Sequence, residues 1–433
     1  MTVAGERGGV LVVLPSSVGR SATVHSQWLA AAHLARALGL LLGGADVLTP
    51  SGLLSPDQVE EEAVQEAFSS SPARAAVRRL PVSSRLLLGD LRIWRQARRM
   101  RARGDLLRAR GYRLVVQFHH RFHSCGVALA QQVGAPLVLR VEALEVQEEE
   151  AWGLPRPLFG RFVERFGELR IARRADLVAS VSDAVDSQLG RLGIHPQQRV
   201  VIPNGVDLNA FSPGEPDQHL RRLHGLDGRL VVGWVGGFRP FHGLELVADV
   251  ARGLRERVPQ AILCLVGTGP LHNEMAEQAR ALPDQIRLVG PAAPKDVPRW
   301  IRSFDVCLLL ASSDEFHYSP LKLYEYLGCG RPVVAARVGQ VAQTVRDSVE
   351  SLLVPTNDAS AVVAAIERLA QDPVLRELMG KNARTTAERA TSWDARALHL
   401  VEALEARGCL EPHTANRDLA QFPPAPAPEH GVG

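Results

Sequence analysis

Three stretches in the second half of the chain gather groups suited to a phosphate-bearing ligand. In Val231–Gly243 (VVGWVGGFRPFHG) a hydrophobic run ends in Gly236 and Gly237 and is followed by Arg239 and His242. A glycine turn after a strand lets backbone N–H groups approach an anion, and a helix starting near Leu244 would add its dipole. Arg239 can fork onto a diphosphate, and His242 can donate to one. Alone, a tight turn with a surface arginine would look the same. Val266-Gly267-Thr268-Gly269-Pro270 repeats the pattern at another strand end, where open α/β sheets bind ligands. In His317–Ala335 (HYSPLKLYEYLGCGRPVVA), Ser319-Pro320 can open a helix whose first turn carries Leu321 and Lys322 toward a phosphate. Glu325 follows three residues later on nearly the same face, where a carboxylate can accept from ribose hydroxyls. A surface Lys–Glu pair does not explain why phosphate-binding and ribose-binding groups meet after a strand.

His119, His120 and His123 form an HHxxH pattern after another hydrophobic run. Imidazoles are good metal ligands. Adjacent His119 and His120 would point to different sides of an extended segment, however, and no acid completes the set, so no metal site is assigned.

The elements that position these groups are short, near-continuous Val/Leu/Ile runs alternating with helical patterns. Strands are expected at Val10–Leu14, Ala45–Leu48, Leu114–Phe118, Pro136–Val141, Leu177–Ser180 and Val200–Ile202. A second series is Val231–Val235, Ala261–Val266, Ile286–Val289, Val306–Leu310, Pro332–Ala335 and Ser351–Val354. Continuous rather than alternating apolar runs are typical of strands covered on both faces, which predicts parallel sheets with helices on either side. Helices are expected at Ala30–Leu38, Leu244–Val258 and Ala359–Ala370. The turn cluster Pro203-Asn204-Gly205-Val206-Asp207 and the linker-like Phe211–Pro216 mark a boundary between two α/β halves. The tail from Glu411, with its alternating prolines, cannot build a core.

Composition excludes other classes. Fifty basic against 47 acidic residues among 433 leave a net charge of +3, too balanced for a dedicated nucleic-acid binder. The basic charge is almost all arginine: lysine occurs only at 295, 322 and 381, which singles out Lys322. Five scattered cysteines without a C-x-x-C argue against a disulfide framework or thiolate metal site, and a reducing cytoplasm is the expected setting. No apolar stretch reaches the roughly 18 residues of a membrane span. Residues Arg92–Arg110 are arginine-rich, with Ile93, Ala97, Met100 and Leu107 on one helical face interrupted by Gly104. A helix resting on anionic lipid and a solvated surface helix both fit that pattern; the thin apolar stripe favours the second.

PNGVD at 203–207, VGGFRPFHG, GTGP and PLKLYEYLGCGRPVVA together resemble the C-terminal half of retaining GT-B-fold glycosyltransferases of family 4, the glycosyl transferases group 1. The resemblance extends to Gly134–Leu139, to Val178–Asp183, and to Thr391-Ser392-Trp393 with Leu398–Leu404. It implies two Rossmann-like doubly wound parallel-sheet domains facing a central cleft. These are 1–203 for the acceptor, 204–390 for a nucleotide sugar, a helix over 391–410 packing back on the first domain, and a disordered tail over 411–433. It implies transfer of a sugar from a UDP- or GDP-sugar (dTDP remaining open) to an acceptor, with retention and without a metal; no D-x-D occurs in the chain. Arg239 and Lys322 would stabilise the leaving diphosphate. Gly19, Gly236, Gly237, Gly267, Gly269, His242, His317, Leu321 and Glu325 would complete the donor site. His119 matches the second histidine of a family H-x-H whose first is Gln117 here, and Glu142 falls where relatives place a polar residue, so both would serve the acceptor side. The chain departs from the pattern at Gly237 and His242, where relatives often carry Arg and Lys. It departs again at His317, which replaces the first of two family glutamates and bears on donor-sugar choice. The implied acceptor is a small natural-product precursor or a lipid-linked envelope glycan, with peripheral membrane contact through Arg92–Arg110. A nucleotide-sugar epimerase, a pseudo-glycosyltransferase and a non-catalytic nucleotide-sugar-binding protein are the alternatives on the same fold.

Overall fold

The computed structural model describes residues 9–15, 22–66, 82–146, 159–313 and 319–412. Gly19 and His317 lie outside the described residues, as does the tail from 413. The chain forms two compact units: one runs to Asn204 and takes up the chain again from Arg396, and the other spans Gly205–Ala395.

The first unit holds strands β1 (Val10–Val13), β2 (Ala45–Leu48), β3 (Leu53–Leu54), β4 (Leu114–Phe118), β5 (Leu137–Val141), β6 (Leu177–Ser180) and β7 (Arg199–Val201). Their order across the sheet is β3-β2-β1-β4-β5-β6-β7. All neighbours are parallel except β2–β3, an antiparallel edge of two pairs, Val47 with Leu54 and Leu48 with Leu53. Every residue of β1, β4, β5 and β6 is buried, as continuous apolar runs require when helices cover both faces.

The second unit holds β8 (Leu230–Gly237), β9 (Ala261–Thr268), β10 (Ile286–Gly290), β11 (Val306–Leu309), β12 (Val333–Ala336) and β13 (Ser351–Val354). Their order is β10-β9-β8-β11-β12-β13, and all neighbours are parallel. Two apolar layers sandwich the sheet. One is built around Trp300, Phe304, Tyr324 and Tyr326, the other around Trp234, Phe238, Leu254 and Ile366.

The structure departs from the sequence reading in several places. Strand β3 was not expected, because two residues are too few to show a pattern. β8 and β9 run two residues further than read, so Gly236, Gly237 and Gly267 lie within paired strand. The helix expected from Leu244 begins at Val247, after 3₁₀ turns at Pro240–His242 and Leu244–Leu246 joined by Gly243 at φ 65°. Pro320 sits in the cap position, not the first turn, and the helix runs Leu321–Gly328. The stretch 211–216 is not a loose linker. Phe211 packs against the second unit's core, and its carbonyl accepts from Arg384 at 3.0 Å. Next, Asp217 caps the helix Gln218–Leu223 by accepting from the N–H groups of His219 and Leu220. The arginine-rich stretch is a helix, Val82–Arg101, broken before a short one, Gly104–Arg108. Ala97 and Met100 of the first and Leu107 of the second lie in the first unit's core, and Arg92, Arg95, Arg98 and Arg99 are exposed.

Candidate functional site

At the C-terminal end of the second sheet the glycines interlock. Gly236 pairs with Gly267, and a Cβ on Gly267 would stand 1.9 Å from the Gly236 carbonyl oxygen. Gly236 and Gly267 hold φ of 142° and 148°, a region closed to most side chains. A Cβ on Gly236 would stand 2.3 Å from Cε of Lys322, so this glycine makes room for the lysine stem. Phe238 locks the two turns together: its N–H donates to Thr268 O at 2.9 Å, and its carbonyl accepts from Leu271 N at 3.1 Å.

Into this corner the helix Leu321–Gly328 brings Lys322. Its Nζ donates to Nε2 of His242 at 3.0 Å and lies 5.1 Å above the Trp234 ring. His242 Nδ1 is 2.7 Å from Gly237 O. The carbonyl can only accept, so Nδ1 carries the hydrogen and Nε2 receives the ammonium proton. Burial, followed by the charges of Lys322 and Arg239, pushes His242 down to about 3, which keeps the imidazole neutral in that tautomer. Both ring nitrogens are therefore engaged. In this state His242 positions Lys322, where the sequence reading had it donate to a phosphate. Leu321 also differs: its N–H donates to Ser319 O at 2.9 Å and its side chain packs against the core.

Among the described residues the cluster sets two cations, Arg239 and Lys322, against one carboxylate, Glu325. Burial draws Lys322 down to about 8, against the pull of Glu325, and raises Glu325 to about 7. Arg239 is half-buried and has no ion pair among the described residues. Two cations thus stand beside strand-end glycines, where they can hold an anion, and Glu325 stands one helical turn away as an acceptor for hydroxyls. Sequence reasoning missed Trp234, whose ring is the platform for Lys322, and Tyr326. Tyr326 Oη accepts from Val235 N at 3.1 Å and fastens the lysine helix to β8. A tryptophan two residues before a glycine pair was the available signal for the first.

In the first unit His119 follows β4, buried, with its N–H donating to Arg140 O at 2.7 Å. Its Nε2 lies 3.6 Å from Oε1 of the fully buried Glu168. Burial alone lowers the His119 pKa, but the neighbouring Glu168 carboxylate carries it above the ordinary value. Glu168 ends the π-turn Val163–Glu168 and accepts from Glu145 N at 2.6 Å. His120 faces Glu145 at 2.8 Å, and Arg121 bridges Asp90 at 2.6 Å and Glu145 at 2.5 Å. Burial opposes the Glu145 charge, yet His120 and Arg121 hold this carboxyl well below the usual range. His123 is buried and pushed down to about 3 by that burial. The three histidines thus diverge, and among the described residues no three His, Cys, Asp or Glu groups converge as metal ligands. Gln117 is consumed locally, donating to His123 O at 2.7 Å and accepting from Gly126 N at 2.6 Å. Glu142 is not a solvated loop carboxylate. Burial raises its pKa, against the charge of Arg140 and a hydrogen bond from Gln27. Arg140, buried in β5, donates to Asn204 Oδ1 at 2.5 Å, which gives the asparagine of the PNGVD turn a role.

Two parallel Rossmann-like sheets, the second ending in a cationic glycine corner, define a GT-B-type glycosyltransferase. The comparisons agree. Residues 229–372 match the model "Glycosyl transferases group 1" and residues 30–210 match "Glycosyltransferase Family 4". A D-inositol 3-phosphate glycosyltransferase of Frankia alni is 30% identical over 64% of this chain and 72% of its own length. The chain belongs to glycosyltransferase family 4. A 2-deoxystreptamine N-acetyl-D-glucosaminyltransferase of Streptomyces fradiae is 30% identical over 61% of this chain and 66% of that protein. Five further D-inositol 3-phosphate glycosyltransferases match over 54% to 70% of their lengths, several of them over less than two thirds. Among solved structures, Anabaena HepE in complex with UDP shares the fold with a TM-score of 0.64 at 19% identity, covering 92% of this chain and 100% of that one. No helix among the described residues is long and apolar enough to cross a membrane.

Proposed function

We propose that the protein transfers a glycosyl unit from a nucleoside diphosphate sugar, with UDP as the nucleotide, to a hydroxyl acceptor with retention at the anomeric carbon. The observation that carries this reading is the pair Arg239 and Lys322 at the strand-end glycines, two cations set against the one carboxylate Glu325 among the described residues. As the C1–O bond breaks, negative charge grows on the leaving diphosphate. Arg239 and Lys322 stabilise it. Bound diphosphate also restores the proton affinity that burial takes from Lys322. These side chains supply the countercharge themselves, so the reaction is proposed to run without a metal. UDP is favoured because the HepE neighbour holds it. His119 and Glu142, on the first unit, are the proposed acceptor-side groups. Relatives' names point to two acceptor chemistries, a cyclitol phosphate and an aminocyclitol. The buried thiols of Cys125, Cys264, Cys307 and Cys329, all unpaired, suit a reducing cytoplasm.

The test is thermal stabilisation by UDP, GDP, dTDP and ADP, followed by UDP-sugar turnover with the product anomer read by NMR. Stabilisation by UDP and a product of unchanged anomeric configuration support the reading. An inverted product removes the retention claim, and donor conversion without an acceptor would favour an epimerase.

A further inference from the structure

The first unit carries a pocket of about 410 Å³ that the donor chemistry does not use. Arg92, Arg95, Arg99 and Arg103 line it, with Leu91 and Met100. It stands at the ligand-binding end of the first sheet. Gln96, on the same helix, donates to the carbonyl of Pro15 just past β1, and Arg103 donates to Thr49 O just past β2 at 3.3 Å. The helix Val82–Arg101 therefore lies across the C-terminal ends of these strands, where open α/β sheets take ligands.

The arginines are the unusual part. Positions 92, 95 and 99 recur at helical spacing, so three like charges share one face, which opposes helix formation. Other arginines nearby are neutralised or stacked: Arg110 on Asp46 at 2.8 Å, Arg121 on Asp90 at 2.6 Å, and Arg98 over the Trp94 ring at 5.1 Å. The helix's acid, Asp90, is thereby spent on Arg121. Among the described residues Arg92, Arg95 and Arg99 have no ion pair. Guanidiniums with no ion pair among the described residues, set around a concavity of ligand size, match a phosphate monoester, with Leu91 and Met100 offering surface for a carbon ring.

We propose that this pocket binds the phosphate of a polyol phosphate and repels a cationic aminocyclitol. That the bound molecule is the acceptor rests on the glycosyltransferase reading above; that the pocket holds phosphate does not. Two sources carry this chemistry: a free polyol phosphate, or the headgroup of an anionic lipid, for which Leu88 and Trp94 are exposed on the same helix.

The test is direct binding by the full-length protein, read by calorimetry against inositol 3-phosphate, inositol and 2-deoxystreptamine, and by co-sedimentation with phosphatidylinositol vesicles. Each is repeated with the R92Q/R95Q/R99Q variant, with UDP binding measured in parallel. Inositol 3-phosphate should bind while inositol and 2-deoxystreptamine do not. The variant should lose affinity by on the order of ten- to a hundredfold, as expected for lost charge-assisted hydrogen bonds. Vesicle binding without free-ligand binding, lost in the variant, assigns the headgroup as the source. Equal binding of either probe by the variant, or no binding of either, overturns the proposal. Retained UDP binding in the variant shows that it is folded, and UDP binding that fails in the parent counts against the donor reading alone.

Discussion

The glycine corner of the second unit and the histidine cluster of the first both concentrate ionisable side chains at strand ends, but they are built on opposite plans. Around His119 the charged groups pair with one another: Arg121 holds Asp90 and Glu145, His120 holds Glu145, and Glu168 faces His119. Around Lys322 the partners are a neutral imidazole, an aromatic face and the single carboxylate Glu325, and Arg239 has no ion pair among the described residues. A network that closes on itself rigidifies a wall. One that sets two cations against one carboxylate is arranged for a ligand that brings further negative charge.

The largest effect separating the two plans should come from the closed network. Arg121→Met removes the guanidinium from the buried Asp90 and leaves Glu145 with His120 alone, and should cost about 3–5 kcal/mol, read by urea denaturation. A loss below about 1 kcal/mol would mean that the network is not the structural element described here. In the open corner the order reverses, with a small stability change and a large loss of ligand. Lys322→Ala should leave the melting temperature of the unliganded protein within a few degrees. It should weaken UDP binding by about 1.5–3 kcal/mol, measured by calorimetry. His242→Phe sharpens the comparison. Lys322 keeps its charge but loses the acceptor that aims it, so UDP affinity should fall by only about 1 kcal/mol.

The pH dependence gives the smallest and most specific difference. Lys322 titrates near 8 when the ligand is absent, so UDP affinity should decline as pH rises from 7 through 9, and the decline should vanish in Lys322→Ala. Stability moves the other way. Between about 8 and the ordinary 10.5 the unfolded lysine holds a proton that the folded one has released, so unliganded stability rises with pH in that window. Glu325, raised to about 7 from 4.5, works oppositely: the folded form holds the extra proton, so its contribution falls as pH climbs between those values. Denaturation curves of the wild type against each single variant read both signs.

The strands were legible because a parallel sheet covered on both faces writes its strands as unbroken apolar runs. Twelve of the thirteen appear in the sequence, and β3, at two residues, is below the length that shows a pattern. Lys322 and Glu325 were legible from their types, their spacing and the rarity of lysine. What His242 does was not. Its partner lies 80 residues away, and only the crossing of β8 with the lysine helix brings the two together. The glycines looked like turns because one sequence cannot show that Gly236 and Gly267 face each other across a strand pair. Glu168 was hidden for a related reason: a π-turn shifts its register off the helical period by which a sequence is read. The arginine helix showed its charges and its apolar stripe, but not that the stripe faces inward.

The central claim is that Lys322 and Glu325 belong to one nucleotide-binding corner. Its most direct test is UDP titration into wild type, Lys322→Ala and Glu325→Ala, with circular dichroism confirming the fold of each. Saturable binding by the wild type, weakened in both variants at unchanged secondary structure, is the expected result. Wild-type affinity in either variant, or no UDP binding by the wild type, would contradict it.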